Sequence, residues 1–233
     1  MYARQVGDWV LTFGVSGMLF RDGLVMYDRE TDTLWTHVDG KGIKGSLAGR
    51  VLEVVPSVHA TWKEWKQLYP DSLVLKKRGA PRSVYESYNR DPNKIGISGR
   101  RLRDKRLPAK ARIIGVRTES AAMAFVEQDV REARLVQADV GGLAVVLIAA
   151  AKDHPIVTFS RRAAGRVLSF RLVEGSPSAF EDTDTGSRWS VADGRAVSGP
   201  LKGAKLERAP AYPAFWFGWL NYFPSTEVWP RPQ

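Results

Sequence analysis

The apolar positions along the chain follow strand periodicity for most of its length. Ile113 to Val116, Ala121 to Phe125 and Leu143 to Ile148 are apolar or β-branched runs bounded by polar and glycine turns. Gly141-Gly142 marks a turn before the third run. Pro155 to Phe159 and Val167 to Leu172 alternate or run apolar, with Ala163-Ala164-Gly165 between them as a hairpin turn. Helical spacing is confined to three places. Val126, Val130, Ala133 and Arg134 place a helix over Glu127 to Leu135. Thr61-x-x-Glu64 forms a capping box for a two-turn helix with Trp62, Trp65, Leu68 and Tyr69 on one face, stopped by Pro70. Those aromatics read as core. The segment Phe215 to Phe223 is apolar nearly all round, so it is either buried on every side or presents a contact patch.

An internal repeat organises these elements. At an offset of 154, residues 28–75 align without a gap on 182–229 with 16 identities. About three would be expected from composition alone. Asp28, Thr31, Trp35 and Asp39 fall on Asp182, Thr185, Trp189 and Asp193, and Gly45-x-Leu-x-Gly49 falls on Gly199-x-Leu-x-Gly203. Pro56, Trp62, Trp65 and Pro70 meet Pro210, Trp216, Trp219 and Pro224. Glycines retained beside a leucine point to a tight turn or a close backbone approach. Upstream, Val10-Leu-Thr-Phe matches Val167-Leu-Ser-Phe170 at an offset of 157. First-copy equivalents of 113–164 would lie before Met1, so the first copy is expected to lack its front.

Composition narrows the class without naming a reaction. The chain has 233 residues, 44% hydrophobic and 26% charged, as in an ordinary globular protein. It holds no cysteine, which excludes disulfides, a thiolate nucleophile and any Cys-based metal site. His37, His59 and His154 lie far apart without metal-ligand spacing, and no metal site is expected. The run from Val140 to Ala151 is too short to span a bilayer. The opening residues carry no signal-peptide pattern. The chain as written therefore reads as cytoplasmic, or as extracytoplasmic if an export signal was lost upstream.

The net charge of +10 is concentrated in one place. Lys76 to Arg117 carries 14 basic and 3 acidic residues, against 21 and 22 in the remainder. Arg100, Arg101, Arg103, Lys105 and Arg106 are the densest group and could bind a polyanion weakly. The plainer reading is a solvated connector. No helix-turn-helix, zinc finger or aromatic RNA-binding signature accompanies the cluster, so nucleic acid is not the expected partner.

Leu11-Thr-Phe-Gly-Val-Ser-Gly-Met-Leu19 and Leu24 to Trp35 resemble the signature of the bacterial and archaeal family called domain of unknown function 3179. The likeness continues through Gly45-x-Leu-x-Gly49, Thr61 to Trp65, Tyr69 to Leu75, Ile114 to Val116, Phe159 to Arg161, Asp184 to Trp189 and Phe215 to Trp219. It covers nearly the entire chain. Little follows about activity, because the family has no settled one. The resemblance implies a Cys-Pro-x-Cys-Gly-Thr stretch before the first motif, with a His-Glu pair further upstream. This chain begins inside that region. His37 also departs from the glutamine more common there.

Candidate chemistry centres on the repeated polar stretch. Asp28 and Asp182 could face one another across a pseudo-twofold axis, with Arg29, Thr31, Thr33, Thr185 and Ser187 lining a pocket near Trp35 and Trp189. Paired carboxylates would suit acid/base work or a hard cation. The alternative is a structural turn in which Asp and the hydroxyls bond locally, and retention in both copies favours it. His37 shares a strand face with Trp35 and has no evident partner ligand. Arg161 could anchor an anion or pair with a repeated Asp. Ser16 lacks a nucleophile's spacing.

The expected fold is α+β and β-rich, with few short helices. Two degenerate copies of one β-rich unit would pack as a pseudo-twofold pair in one globular body: an incomplete first copy (1–90), a basic connector (91–112) and a complete second copy (113–233). The expected role is ligand or metal binding, or scaffolding, with no cofactor identified. An enzymatic pocket using Asp28, Asp182 and Arg161 is the first alternative, and weak polyanion binding the second. Self-association through an exposed sheet edge or the 215–223 aromatics is the expected form of partnering, together with marginal stability.

Overall fold

Short strands joined by tight turns dominate the computed structural model, which describes residues 1–75, 88, 90–96, 99–152 and 154–230. The protein is β-rich with three short helices among the described residues: α1 (Trp62–Leu68), α2 (Glu127–Ala133) and α3 (Trp216–Tyr222). The first residues of the basic segment, 76–87, lie outside the described set. The chain forms two compact units, neither contiguous in sequence. The first contains Met1–Pro56, Asp91–Ala111 and Ala214–Thr226; the second contains Ser57–Arg90, Arg112–Pro213 and Glu227–Gln233. The compact units are therefore not the sequence repeats. Each holds the four-stranded sheet of one stretch and the Trp-x-x-Trp helix of the other.

In the first unit the strands Phe13–Phe20, Gly23–Asp28, Leu34–Thr36 and Gly42–Lys44 form an antiparallel meander in sequence order. Arg21 and Asp22 both adopt positive φ, which matches the twist of a two-residue hairpin turn. Trp35 opposes both Met26 and Gly42 and is completely buried with Leu11 and Leu52. Helix α3 completes the unit. Its first N–H groups have no side-chain cap, and the carbonyls of Ala111 and Ala109 accept from Trp216 and Phe217 at 2.9 Å each. Trp216, Trp219 and Tyr222 are buried, while Phe215 at the helix start remains exposed. The outer strand Phe13–Phe20 leaves Val15 and Leu19 about 70% exposed, at 67% and 72%.

The second unit has a larger core. Its meander runs Phe170–Leu172, Ala179–Asp182, Arg188–Ser190 and Ala196–Ser198. Beside it in sequence is the expected hairpin, Arg162–Ala163 with Arg166–Val167, turning through Ala164 and Gly165 at positive φ. Leu143–Ile148 is the central strand of a second sheet, flanked by Leu135–Val140 and Val157–Ser160. Its alternate residues serve two cores: Val146 and Ile148 pack with Phe159, Phe180 and Trp189, whereas Val145 and Leu147 pack with Phe125 and Val130. A period of two with both faces buried explains its unbroken apolar sequence. Arg112–Arg117 and Ala122–Val126 form an antiparallel pair, extended in parallel by Glu227–Val228.

Helix α1 carries the expected capping box, with Thr61 and Glu64 each accepting from the other's backbone N–H. Its aromatic stripe is not the core expected of it. Trp62 is 46% exposed, with the Lys66 ammonium over its ring, and Tyr69 lies at the surface. A seven-residue helix buries only the narrow face that meets its neighbours, and Glu64 occupies that face.

Candidate functional site

The repeated aspartates are held by their own turns. Asp28 Oδ1 accepts the backbone N–H of Thr31 at 2.6 Å, and Asp28 Oδ2 accepts the indole N–H of Trp35 at 2.8 Å. The Thr31 hydroxyl lies 2.8 Å from Asp28 Oδ1 and 2.7 Å from the Thr33 hydroxyl. In the second unit Asp182 accepts from Thr185 N–H at 2.6 Å and from the Trp189 indole at 2.8 Å, and the Thr185 and Ser187 hydroxyls are 2.7 Å apart. Thr33 Oγ1 then accepts from Leu47 N–H, and Ser187 Oγ from Leu201 N–H. Asp28, Thr33, Asp182 and Ser187 have no solvent exposure. Burial pushes the Asp28 carboxyl up, but the Trp35 indole, the Thr31 hydroxyl and the backbone of Thr31 and Thr33 bring it below its ordinary range.

Arg161 is likewise bonded to residues near it in the chain. Its Nε donates to Leu168 O at 2.8 Å and one Nη to the Ser169 hydroxyl. Arg4, at the matching place in the first unit, donates likewise to Leu11 O and the Thr12 hydroxyl. Arg29 lies over the Tyr27 ring. His37 is at the surface, its pKa lowered by desolvation against the pull of the Leu24 carbonyl and the Asp39 charge. Among the basic residues, Arg100 pairs with Asp22. Arg106 pairs with Asp104 at 2.9 Å, donates to Thr226 O and covers the Trp216 ring. Arg101 and Lys105 line a small surface cavity of about 260 Å³. Arg103 is exposed. The described residues of 91–111 thus belong to the first unit, with Ile95 and Ala109 buried.

A further concavity lies elsewhere, wholly within the second unit. It encloses about 400 Å³ and is walled by the segment leading into α1, by α2, and by the extended stretch 208–213. Such a volume is in the range of small-molecule sites. Ile114, Ile156, Ala209, Ala211 and Pro213 give it an apolar side. The polar side is an ordered network. Arg131 on α2 reaches Glu64 Oε1 at 2.7 Å and Glu127 Oε1 at 3.2 Å, and donates to His154 O. Arg112 pairs with the other Glu127 oxygen at 2.9 Å. Burial pushes Glu64 up, and Thr61 and Arg131 outweigh it, so its carboxyl stays ionised below the usual range.

Arg208 is the remaining charge of that polar side. It donates to Ala192 O and lies 5.1 Å from the centre of the Phe159 ring, and among the described residues no carboxylate pairs with it. The Thr158 hydroxyl, on a buried residue, and His59 complete the polar lining. None of the residues expected from the sequence to form a pocket lines this cavity. Its charged members are separated by up to 144 positions, from Glu64 to Arg208, and only folding brings them together. One signal was available: the aligned stretches disagree there. Arg208 stands where the first stretch has Val54, and Glu64 where the second has Gly218.

Among the described residues no group of three or more His, Asp or Glu side chains could hold a metal ion, and no helix is long and apolar enough to cross a membrane. A family model described as "Protein of unknown function (DUF3179)" matches residues 1–226. No curated protein and no solved structure matches the chain.

Proposed function

We propose, for this chain that belongs to the DUF3179 family, that it is a ligand-binding protein whose site is the 400 Å³ cavity of the second unit. One contrast carries the reading. The residues common to both aligned stretches, Asp28/Asp182 and Trp35/Trp189, spend their polar atoms on local bonds and have no exposure. The residues peculiar to one stretch, Glu64 and Arg208, gather at a cavity with Arg112 and Arg131. Structure is needed in every copy of a repeated module, whereas a binding site is needed once. Descent of the two stretches from one duplicated module is supported by the matched bonds of Arg4 and Arg161, and of Thr33 and Ser187.

The fixed Glu64–Arg131–Glu127 network supports binding over acid/base chemistry, because Thr61 and Arg131 hold the Glu64 carboxyl below its usual range and make it a poor proton donor. Screening small organic fragments by amide chemical-shift mapping tests the site. Shifts should cluster at Ser57–Glu64, Thr158 and Ala209–Ala211. Ala209→Phe, which fills the cavity, should abolish them in a folded protein. Shifts clustering instead around Asp28 or Asp182 would overturn the assignment in favour of a pocket at the repeated aspartates.

A further inference from the structure

Resting on that reading, we infer that the ligand is a small organic monoanion, a carboxylic acid with a short apolar body, and that Arg208 receives its carboxylate. The cavity's polar side carries three arginines and two glutamates. Arg131 and Arg112 are bound to those glutamates, with Arg131 shared between both. The charge left over is that of Arg208. Its guanidinium has five N–H donors in a planar fork, and one Nη is spent on Ala192 O. A fork with donors to spare matches a carboxylate in size and geometry. Arg208 is half-buried, so an anion that enters the cavity meets its charge with less screening than at an open surface.

The rest of the lining fixes the other end of the molecule. Ile114, Ile156, Ala209 and Pro213 offer no hydrogen bond, so they favour a hydrocarbon body over a second charge. The Thr158 hydroxyl can add one donor to the same carboxylate or accept from a ligand hydroxyl. A dianionic phosphate would need two uncompensated cations, and one is present. The backbone itself does not require arginine at this place. Phe159 bridges Arg208 as Tyr2 bridges Val54 in the first unit, so valine fits the same local geometry.

The test titrates the full chain with butyrate, butyramide, butylammonium and inorganic phosphate, by calorimetry and amide shift mapping. Butyrate should bind and move the Thr158 and Ala209 amides, with butyramide and butylammonium at least tenfold weaker. Arg208→Val should weaken butyrate at least tenfold, Arg208→Lys should retain part of the affinity, and Lys202→Gln, on an exposed residue outside the cavity, should change it less than threefold. Equal binding of butyramide, tighter binding of phosphate, or an undiminished Arg208→Val would each overturn the monoanion inference while leaving the cavity as the site. If the fragments of the preceding section map to the cavity and butyrate does not, only the present inference falls. If nothing moves the cavity amides, both fall.

Discussion

The indole N–H of Trp35 donates to a carboxylate oxygen of Asp28 across 2.8 Å, inside a core that water does not reach. Trp189 and Asp182 repeat the bond at the same length. In each case seven residues separate donor from acceptor, and the aspartate also closes its own turn through the N–H three residues on. Replacing either Asp by Ala orphans a buried indole N–H and a backbone N–H together. The expected cost is about 3 kcal/mol per site, from about 1–3 kcal/mol for each buried group left unsatisfied. Asn, which keeps one acceptor, should cost less than Ala. Urea melts of D28A, D28N, D182A and D182N check the order, and an Ala variant as stable as its Asn counterpart would contradict it.

The same bonds make the first unit acid-sensitive. The folded-state pKa of Asp28 lies below the ordinary 3.8, so its carboxylate stabilises the fold above that value. The contribution disappears as pH falls from about 4 through the lower folded value. Stability measured from pH 6 down to pH 2 should fall more steeply for the parent than for D28N. Parallel curves would show that Asp28 does not couple to folding.

At the alkaline end Tyr222 takes over. Its hydroxyl donates to Phe20 O at 2.8 Å, and burial, with the Asp39 charge adding to it, raises its pKa from 10.0 to about 12. The neutral phenol therefore stabilises the fold below pH 10, and this is lost between pH 10 and about 12. Tyr222→Phe should remove that part of the alkaline decline and cost about 1 kcal/mol at pH 7 for the missing hydrogen bond. Spectrophotometric titration of the tyrosines should show a late-titrating group that is absent from the variant.

Glycines at the sheet turns test the close approaches. A Cβ on Gly45 would lie 2.7 Å from Thr33 Cα, and one on Gly199 would lie 2.6 Å from Ser187 Cα. Both residues also hold positive φ, at 115° and 89°. Alanine at either should destabilise by about 2 kcal/mol or more, combining steric overlap with backbone strain. Gly165 makes the control: it shares the positive φ but has open space, so Gly165→Ala should cost about 1 kcal/mol. Equal losses at all three would mean that backbone strain alone decides.

Local bonding was the most readable part of the chain. The Thr61/Glu64 capping box, the turn at Ala164-Gly165 and the doubly buried strand Leu143–Ile148 each depend on residues close in sequence, so pattern and structure agree. The contacts of Asp28 and Arg161 were half legible. Their repetition pointed to scaffolding, but the indole and carbonyl they engage lie seven residues away, beyond an intervening turn. The burial of Trp62 was misread because its partner position, Trp216, is completely buried while Trp62 is at the surface. Identity between the aligned stretches extends to the residue and not to its neighbours. The cavity was legible only as the mismatches at Glu64 and Arg208, since Arg112, Arg131 and Arg208 line it together only through tertiary packing.

Helix α3 closes the chain's first compact unit although it is made almost last. On the ribosome, residues 1–56 therefore emerge well before α3, and the Phe20–Gly23 turn must wait for Tyr222 to be synthesised. Unit two, by contrast, has nearly all its parts once Pro213 has left the exit tunnel. A chaperone that shields the nascent Phe13–Phe20 strand would act before α3 emerges.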